Sequence, residues 1–398
     1  MKLSRRVQEI TPSATLQAKV DADKARRAGI DVIDFGPGEP DFDTPTPIKD
    51  AAKRALDENF THYVDTAGIP ELRSGIADRY RRDHGTDYAA SEVMIGCGGK
   101  NVLFLLAQAA FGPGDRVALF SPYWVSFPDQ IRLAGAEPLV LPAREEDEFV
   151  PRAATLERAL AEGPIRAVIL NSPCNPTGAV LPPDEVERFA DLAKRHDLLL
   201  ISDETYEFFH YDQVPYASFA SQAARLRGNL ALVGSFSKSY AMTGWRVGYA
   251  LGPQELIGAM TKIQSHDASH TASFSMRGAV AALAIEPGVL AMMREEYRRR
   301  RDLMLDGLSR VEGIRCLPPR GAYYVFPNMR GFMRRFGLES STDLARALLR
   351  GLGLAVVPGS AFGAEGYVRI SYAVREDRIR EGLERLRTCR SLPGPADF

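Results

Sequence analysis

The middle of the chain alternates short, unbroken apolar runs with stretches whose apolar residues recur at helical spacing. Strands that are buried on both faces of a sheet have such runs, whereas half-exposed strands alternate apolar and polar residues. One helical stretch is "PDEVERFADLAKRHD" (183–197). We therefore predict an α/β fold with a mostly parallel sheet flanked by helices. Four runs are the predicted strands: "RVALF" (116–120), "RAVIL" (166–170), "LLLIS" (198–202) and "NLALVG" (229–234).

The last third of the chain has a different pattern. A long, charged amphipathic helix is predicted around residues 288–312, and the short apolar segments "GAYYVFP" (321–327) and "YVRISYA" (367–373) follow it. The Pro/Gly-rich "FGPGEPDFDTPTP" (35–47) is typical of an extended connector. We predict three parts: an N-terminal segment that packs with the small domain (1–45), a large ligand-binding domain (46–285) and a small α+β domain (286–398).

Composition and charge narrow the class of protein. The chain has 398 residues, of which 45% are hydrophobic and 25% charged, and its formal net charge is -1. A balance so near neutrality has no electrostatic signature of nucleic acid or anionic membrane binding, and no apolar window approaches a membrane span. The four cysteines lack CxxC or metal-ligand spacing, so we predict no metal site and a reducing, cytoplasmic location.

The candidate chemistry follows the predicted strands. Ligands of open α/β sheets bind beyond the carboxyl ends of the strands. Taken singly, the polar residues at these ends have ordinary explanations, such as a β-turn, a helix cap or a surface lysine. Together they place many functional groups at one edge of one sheet. The residues are Trp124 in "SPYW", Asn175 in "NSPCNPTG", Asp203 and Tyr206 in "DETY", and Ser235, Lys238 and Arg246 in "SFSKSYAMTGWR".

The functional groups at this edge complement one ligand. The N-terminus of the apolar helix after "GCGGK" (96–100), together with Ser235 and Arg246, suits a phosphate dianion. A carboxylate with a phenol and an amide suits a heteroaromatic ring that bears a ring nitrogen and a phenolic oxygen. An amine in a desolvated, partly cationic pocket can attack an aldehyde. Pyridoxal 5'-phosphate (PLP) combines all of these groups, so we predict that Lys238 binds PLP covalently.

Nine motifs occur in order along the chain: "PSAT", "GEPDFDTP", "GIPELR", "GGK", "SPYWVSFP", "NSPCNPTGAV", "SDETYE", "SFSKSYAMTGWRVGY" and "VRISYA". With them the chain resembles the class I and II aminotransferases of PLP fold type I, and most closely the bacterial aspartate aminotransferase branch. The resemblance covers nearly the whole chain. It implies a PLP-dependent aminotransferase that forms a homodimer with shared active sites.

The resemblance assigns roles around the cofactor ring. It implies that Lys238 is the covalent attachment point and then the general base. Asp203 would hold the ring nitrogen protonated, which makes the ring an electron sink. Tyr206 and Asn175 would donate hydrogen bonds to the phenolic oxygen. Trp124 would stack on the ring.

The resemblance also assigns the residues that would bind the cofactor phosphate and the substrate. Ser235, Arg246 and the backbone at Gly99 and Lys100 would hold the phosphate, and Tyr63 would reach the phosphate of the neighbouring subunit.

Arg369 would pair bidentately with the substrate α-carboxylate, with help from the backbone of Gly38; Trp124 and Asn175 would also contact the substrate.

One segment departs from the family pattern. "IQSHDASHTASFSMRG" (263–278) lies where this branch carries a Ser/Thr-rich stretch before a proline, but it has no proline and contains His266 and His270. The departure is either a packing variation or a sign of a changed substrate. We expect an aspartate-like donor with an acceptor such as 2-oxoglutarate. The alternatives are an aminotransferase for an aromatic or specialised-metabolite amino acid, or a PLP-dependent β-lyase on the same fold.

Overall fold

A computed structural model describes residues 3–394, and its largest element is a seven-stranded sheet with the order β2-β8-β7-β6-β5-β3-β4. Strand β8 is antiparallel to both of its neighbours, and the pairs from β7 to β4 are parallel. The strands are β1 Ile33–Asp34, β2 Val93–Gly96, β3 Arg116–Ser121, β4 Glu137–Pro142, β5 Ala167–Asn171, β6 Leu199–Asp203, β7 Leu230–Ser235, β8 Gly248–Leu251, β9 Tyr324–Val325, β10 Leu354–Ala355, β11 Val357–Pro358 and β12 Val368–Ser371.

Helices cover both faces of this sheet and build much of the C-terminal part. They are α1 Arg5–Gln8, α2 Ala14–Arg27, α3 Thr46–Asp57, α4 Pro70–His84, α5 Gly99–Ala110, α6 Phe127–Leu133, α7 Ala153–Ala161, α8 Pro183–Arg195, α9 Phe236–Ser239, α10 Gln254–His266, α11 Ser273–Ala282, α12 Pro287–Ser309, α13 Arg330–Arg335, α14 Ser341–Leu352 and α15 Glu376–Arg387. Short 3-10 turns lie at Ala90–Glu92, Glu145–Asp147, Phe219–Gln222, Thr243–Trp245 and Gly359–Phe362.

The four apolar runs form parallel strands β3, β5, β6 and β7, as predicted. Strand β6 shows why such runs lack alternation. Leu200 packs in a cluster with Phe189 of α8, and the next residue, Ile201, packs on the other face with Val102 of α5. Both faces of the strand are covered by helices, so its first three residues, Leu199 to Ile201, are all apolar. The mostly parallel α/β fold is confirmed.

The C-terminal part has its own small sheet. Strand β12 pairs antiparallel with β11 on one side and with β9 on the other, and α12 packs against α15. Strand β1 pairs in parallel with β10. Phe35 is buried in one apolar cluster with Leu354 of β10 and Ile370 of β12. The N-terminal segment therefore hydrogen-bonds to the C-terminal part. The exact domain boundaries remain a prediction.

No single helix within residues 3–394 is long and apolar enough to cross a membrane. The consecutive helices α11 and α12 reach that length and hydropathy jointly, but they are bent by 87° at their junction.

Candidate active site

The polar residues of the site begin where the parallel strands end. Asn171, Asp203 and Ser235 are the last residues of β5, β6 and β7. The register pairs Asn171 with Asp203, and the Asn171 Nδ2 donates to the Asp203 carbonyl at 3.0 Å. The Asn171 Oδ1 in turn accepts from the Asn175 backbone N–H at 2.8 Å. Strand register thus places Asn171 beside Asp203 at the ends of neighbouring strands.

A cavity of about 240 Å³ lies beyond these strand ends. The structure brings eleven of the twelve predicted site residues to its walls: Gly38, Gly99, Lys100, Trp124, Asn175, Asp203, Tyr206, Ser235, Lys238, Arg246 and Arg369. Six residues that the sequence did not single out also line it: Thr15, Leu103, Asn171, Thr205, Ser237 and Tyr324.

Lys238 extends from the short helix α9 into this cavity, and its amine donates to the Gly38 carbonyl. Burial lowers the pKa of Lys238 to about 8, and the nearby guanidinium of Arg369 adds to this effect. A pKa near 8 leaves a useful fraction of the amine neutral at neutral pH. An amine of this pKa can act as a nucleophile and as a base.

Asp203 is a buried carboxylate on the floor of the cavity. Burial raises its pKa to about 6, although the Thr205 N–H, 3.1 Å from Oδ1, opposes the rise. A carboxylate buried without a directly bonded cation is costly. The protonated ring nitrogen of PLP, if placed against Asp203, would supply the missing positive charge.

A glycine turn and a guanidinium form one end of the cavity. Gly98, the N-cap of α5, has a φ of 87°, and a Cβ there would lie 2.4 Å from the Arg246 Nη2. The positive φ favours glycine, and a side chain there would also displace the Arg246 guanidinium. Arg246 donates to the Thr243 carbonyl at 2.8 Å and to the Cys97 carbonyl at 3.2 Å. A helix N-terminus, a hydroxyl and a guanidinium in this arrangement can together bind an anion.

Arg369 comes from β12 and forms the opposite wall. It is 2% exposed, and its guanidinium donates to the Asn175 Oδ1 at 3.0 Å and to the Gly36 carbonyl at 2.6 Å. It also lies 4.4 Å from the centroid of the Tyr324 ring. The Arg369 Nε is buried and has no hydrogen-bond partner among the described residues. A buried, unpaired N–H of a cation is costly unless a ligand accepts from it.

Tyr324 is the most informative residue that sequence reasoning missed. Its hydroxyl lies 2.7 Å from the Tyr206 hydroxyl, and burial raises the pKa of both phenols. A Cβ at Gly38 would lie 2.5 Å from the Tyr324 hydroxyl. Tyr324 therefore packs the connector against the cavity. In the sequence it is one tyrosine within an apolar strand, which is equally typical of the core; Asn171, by contrast, ends an apolar run and could have been found.

Tyr63 is the predicted site residue that lies outside the cavity. It is 90% exposed, and its ring contacts the His270 ring edge-on at a centroid distance of 5.6 Å.

The comparisons with known proteins agree with this geometry. The family model for aminotransferase class I and II matches residues 30–386. The chain is 42% identical over 388 residues to the aspartate/prephenate aminotransferase of Thermus thermophilus, covering 96% of this chain and 97% of the relative. It is 38% identical to the aspartate aminotransferase of Bacillus subtilis, with 97% and 98% covered.

A solved structure of similar identity has the same fold. The Thermus thermophilus aspartate aminotransferase with maleate superposes with a TM-score of 0.91 at 40% identity, covering 97% of this chain and 99% of that one. The fold and these matches define a fold type I enzyme of the aminotransferase class. The chain belongs to the class I and II aminotransferase family.

Proposed function

We propose that this protein is a PLP-dependent aminotransferase that moves the amino group of an aspartate-like donor to a 2-oxo acid such as 2-oxoglutarate. One observation carries the proposal. A buried amine of lowered pKa, Lys238, lies in one cavity with a buried carboxylate, Asp203, and a buried guanidinium, Arg369, that has an unused N–H.

The residues of the cavity fit PLP. The turn at Gly98 and Gly99 leaves room that a side chain would fill, and it faces the Arg246 guanidinium. Four cationic side chains but one carboxylate line the cavity, so it favours a strongly anionic ligand. Ser235, Arg246 and the N-terminus of α5 would hold the phosphate. Asp203 would pair with the ring nitrogen.

Each residue then has a defined task. When bound, PLP supplies an electron-withdrawing ring that acidifies the α-hydrogen of an attached amino acid. Lys238 would hold the cofactor through its aldehyde, and its neutral amine, once released by the donor amine, would accept the donor's Cα proton. Arg369 orients the α-carboxylate through its Nη atoms and its free Nε. Tyr206 and Asn175 would donate hydrogen bonds to the phenolic oxygen.

The charge of the pocket also supports a dicarboxylic donor. With Arg246 on the phosphate, Arg369 on the α-carboxylate and Lys238 on the aldehyde, the Lys100 ammonium is the remaining cation of the described lining. It lies 5.1 Å from the centroid of the Trp124 ring, beside the expected ring position. We assign it to the second carboxylate. The Thermus structure named above was solved with maleate, a dicarboxylate.

An amino-donor panel with 2-oxoglutarate tests the proposal. We expect aspartate and glutamate to convert the absorbance of the lysine-bound cofactor to that of pyridoxamine phosphate. Lys100→Met should lower kcat/KM for these donors by about tenfold or more and leave alanine and phenylalanine nearly unchanged. An aromatic preference that survives Lys100→Met would support the aromatic alternative, and release of ammonia and pyruvate would indicate a lyase.

The smallest active unit in this proposal is a homodimer. Tyr63 is 90% exposed although its loop is fixed by contacts with residues 264–277. A rigidly held, exposed aromatic residue is typical of an interface. We propose that it reaches the cofactor phosphate of the partner subunit. Sedimentation combined with an assay tests this, because an active monomer would contradict it. The cytosolic location stays a prediction, which cell fractionation would test.

A further inference from the structure

The histidine-containing segment holds the loop that presents Tyr63, and its histidines have no role in the function proposed above. We define the histidine segment as residues 264–277 and the tyrosine loop as residues 60–66. The buried Gln264 donates from Nε2 to the Thr66 carbonyl at 2.7 Å and to the Ile95 carbonyl at 2.8 Å. The loop is thereby attached at one end to the segment and to strand β2.

The other end of the tyrosine loop is held as firmly. Ser273 donates from Oγ to the Phe60 carbonyl at 2.6 Å. The Arg277 guanidinium lies 4.4 Å from the centroid of the Phe60 ring and pairs with Glu71 at 3.1 Å. The loop is thus fixed at both ends by the segment that departs from the family pattern.

His270 contacts the centre of the loop. Its ring meets the Tyr63 ring edge-on at 87°, and its Nε2 lies 3.4 Å from the Val64 backbone nitrogen. The Val64 N–H is a donor, so Nε2 is the acceptor and the proton is assigned to Nδ1. The Nδ1 then donates to the Thr271 carbonyl at 2.8 Å. This pair of bonds fixes both the tautomer and the plane of the ring.

We propose that His270 is a positioning residue that orients Tyr63 toward the cofactor phosphate held by the partner subunit. The inference rests on the proposed function, which supplies the phosphate and the dimer. Tyr63 is 90% exposed, and within residues 3–394 its aromatic contact is with His270. Without that ring the phenol can occupy several rotamers, and ordering one long side chain on binding has an entropic cost.

Retention of the cofactor tests the inference without an assay of turnover. Holoenzyme is diluted into buffer with a PLP-trapping reagent, and loss of the absorbance of the lysine-bound cofactor gives a dissociation rate. We expect His270→Ala to accelerate the loss by about three- to tenfold. His270→Gln keeps an acceptor for the Val64 N–H and should retain the cofactor better. His266→Ala changes the exposed histidine at the end of α10 and should match wild type.

A double-mutant cycle separates positioning from simple packing. If His270 acts through Tyr63, then Tyr63→Phe combined with His270→Ala loses the cofactor no faster than Tyr63→Phe alone. Additive losses would overturn the inference. So would equal rates for His270→Ala and His266→Ala. If His270→Ala does not fold, His270→Leu, which fills the space but has no acceptor, combined with Tyr63→Phe completes the same cycle.

Hybrid dimers test whether His270 acts across the subunit boundary. Lys238→Ala leaves one subunit without its covalent site, so the absorbance reports the site of the other. Pairing a Lys238→Ala subunit with a His270→Ala subunit should give wild-type retention, because Tyr63 comes from the subunit with His270 intact. Pairing a Lys238→Ala/His270→Ala subunit with wild type should give fast loss. The reverse pattern overturns the inference. A monomeric holoenzyme, or borohydride reduction that attaches the cofactor to a lysine other than Lys238, overturns the proposed function instead.

Discussion

The two walls of the cavity are positioned by different kinds of contact. The wall at the sheet edge consists of residues that end parallel strands or closely follow them, such as Asp203, Ser235 and Lys238. The opposite wall consists of Gly38 from the connector and Arg369 from β12. Register between neighbouring strands fixes the first wall, and packing between distant parts of the chain fixes the second.

The walls also differ in which buried polar and charged groups they leave without a partner. The sheet wall holds a buried carboxylate and a buried amine whose pKa values are both shifted toward neutrality, to about 6 and about 8. The opposite wall holds a guanidinium whose Nε lacks a described partner. We infer that the sheet wall performs the chemistry on the cofactor and the opposite wall recognises the substrate. Substitutions should separate these two tasks.

Removing the amine of the sheet wall should have the largest effect. We expect Lys238→Ala to abolish the absorbance of the lysine-bound cofactor and to lower kcat by at least about 10³-fold, since nucleophile and base are lost together. Lys194→Ala, at an exposed position of α8, is the control and should behave as wild type. If borohydride reduction labelled a lysine other than Lys238, the assignment would be wrong.

Asp203→Ala should be nearly as damaging, because an unprotonated ring is a poor electron sink. We expect kcat to fall by about 10²–10³-fold, with the cofactor still bound covalently. Asp203→Glu keeps a carboxylate at the same strand end and should retain more activity. Stopped-flow absorbance with saturating donor measures both variants. Wild-type rates in Asp203→Ala would remove this carboxylate from the mechanism.

The sheet wall could be predicted from the residue pattern alone, whereas Arg369 and Gly38 of the opposite wall could be predicted only through the resemblance to a family. Asp203 and Ser235 follow directly from where apolar runs end, because the carboxyl ends of parallel strands meet at one edge. Arg369 donates to the carbonyl of Gly36, which lies 333 residues earlier, and no local pattern encodes that contact. Resemblance to a family supplied Arg369 and Gly38. Nothing supplied Tyr324, because a tyrosine in an apolar strand has the pattern of the core.

The opposite wall should affect substrate more than cofactor. Arg369→Lys cannot reproduce a two-pronged contact with a carboxylate. We expect kcat/KM to fall for every amino donor by roughly 2–4 kcal/mol of transition-state binding, with little change in the absorbance of the lysine-bound cofactor. Amines that lack the carboxylate should be affected much less. A variant that discriminates between the two classes as wild type does would show that Arg369 has a structural role instead.

Tyr324 connects the walls, and its hydroxyl should have a smaller effect. Tyr324→Phe removes the hydroxyl that lies 2.7 Å from the Tyr206 hydroxyl. One hydrogen bond contributes about 1 kcal/mol, so we expect a loss of about fivefold in kcat. The control is Tyr372→Phe, which removes a buried hydroxyl bonded to the Ala322 carbonyl. Equal losses of activity in the two variants would contradict a connection specific to Tyr324.

The smallest expected effect is electrostatic, because the charge of one wall shifts the pKa of the amine in the other. After burial, the Arg369 guanidinium is the largest cause that lowers the pKa of Lys238 to about 8. The neutral amine captures PLP, so the rate of covalent capture by the apoprotein should rise with pH and level off above about 8.

Arg369→Gln removes the charge and Arg369→Lys keeps it, which makes the two variants a matched pair. We expect Arg369→Gln to raise the midpoint of this pH profile, by less than about one unit, because losing a nearby cation favours the protonated amine. Arg369→Lys should leave the midpoint near its wild-type value. Absorbance-monitored reconstitution between pH 6 and about 10 gives both profiles. Equal midpoints in the two variants would mean that the walls interact through geometry alone, and that the amine owes its reactivity to burial within the sheet wall.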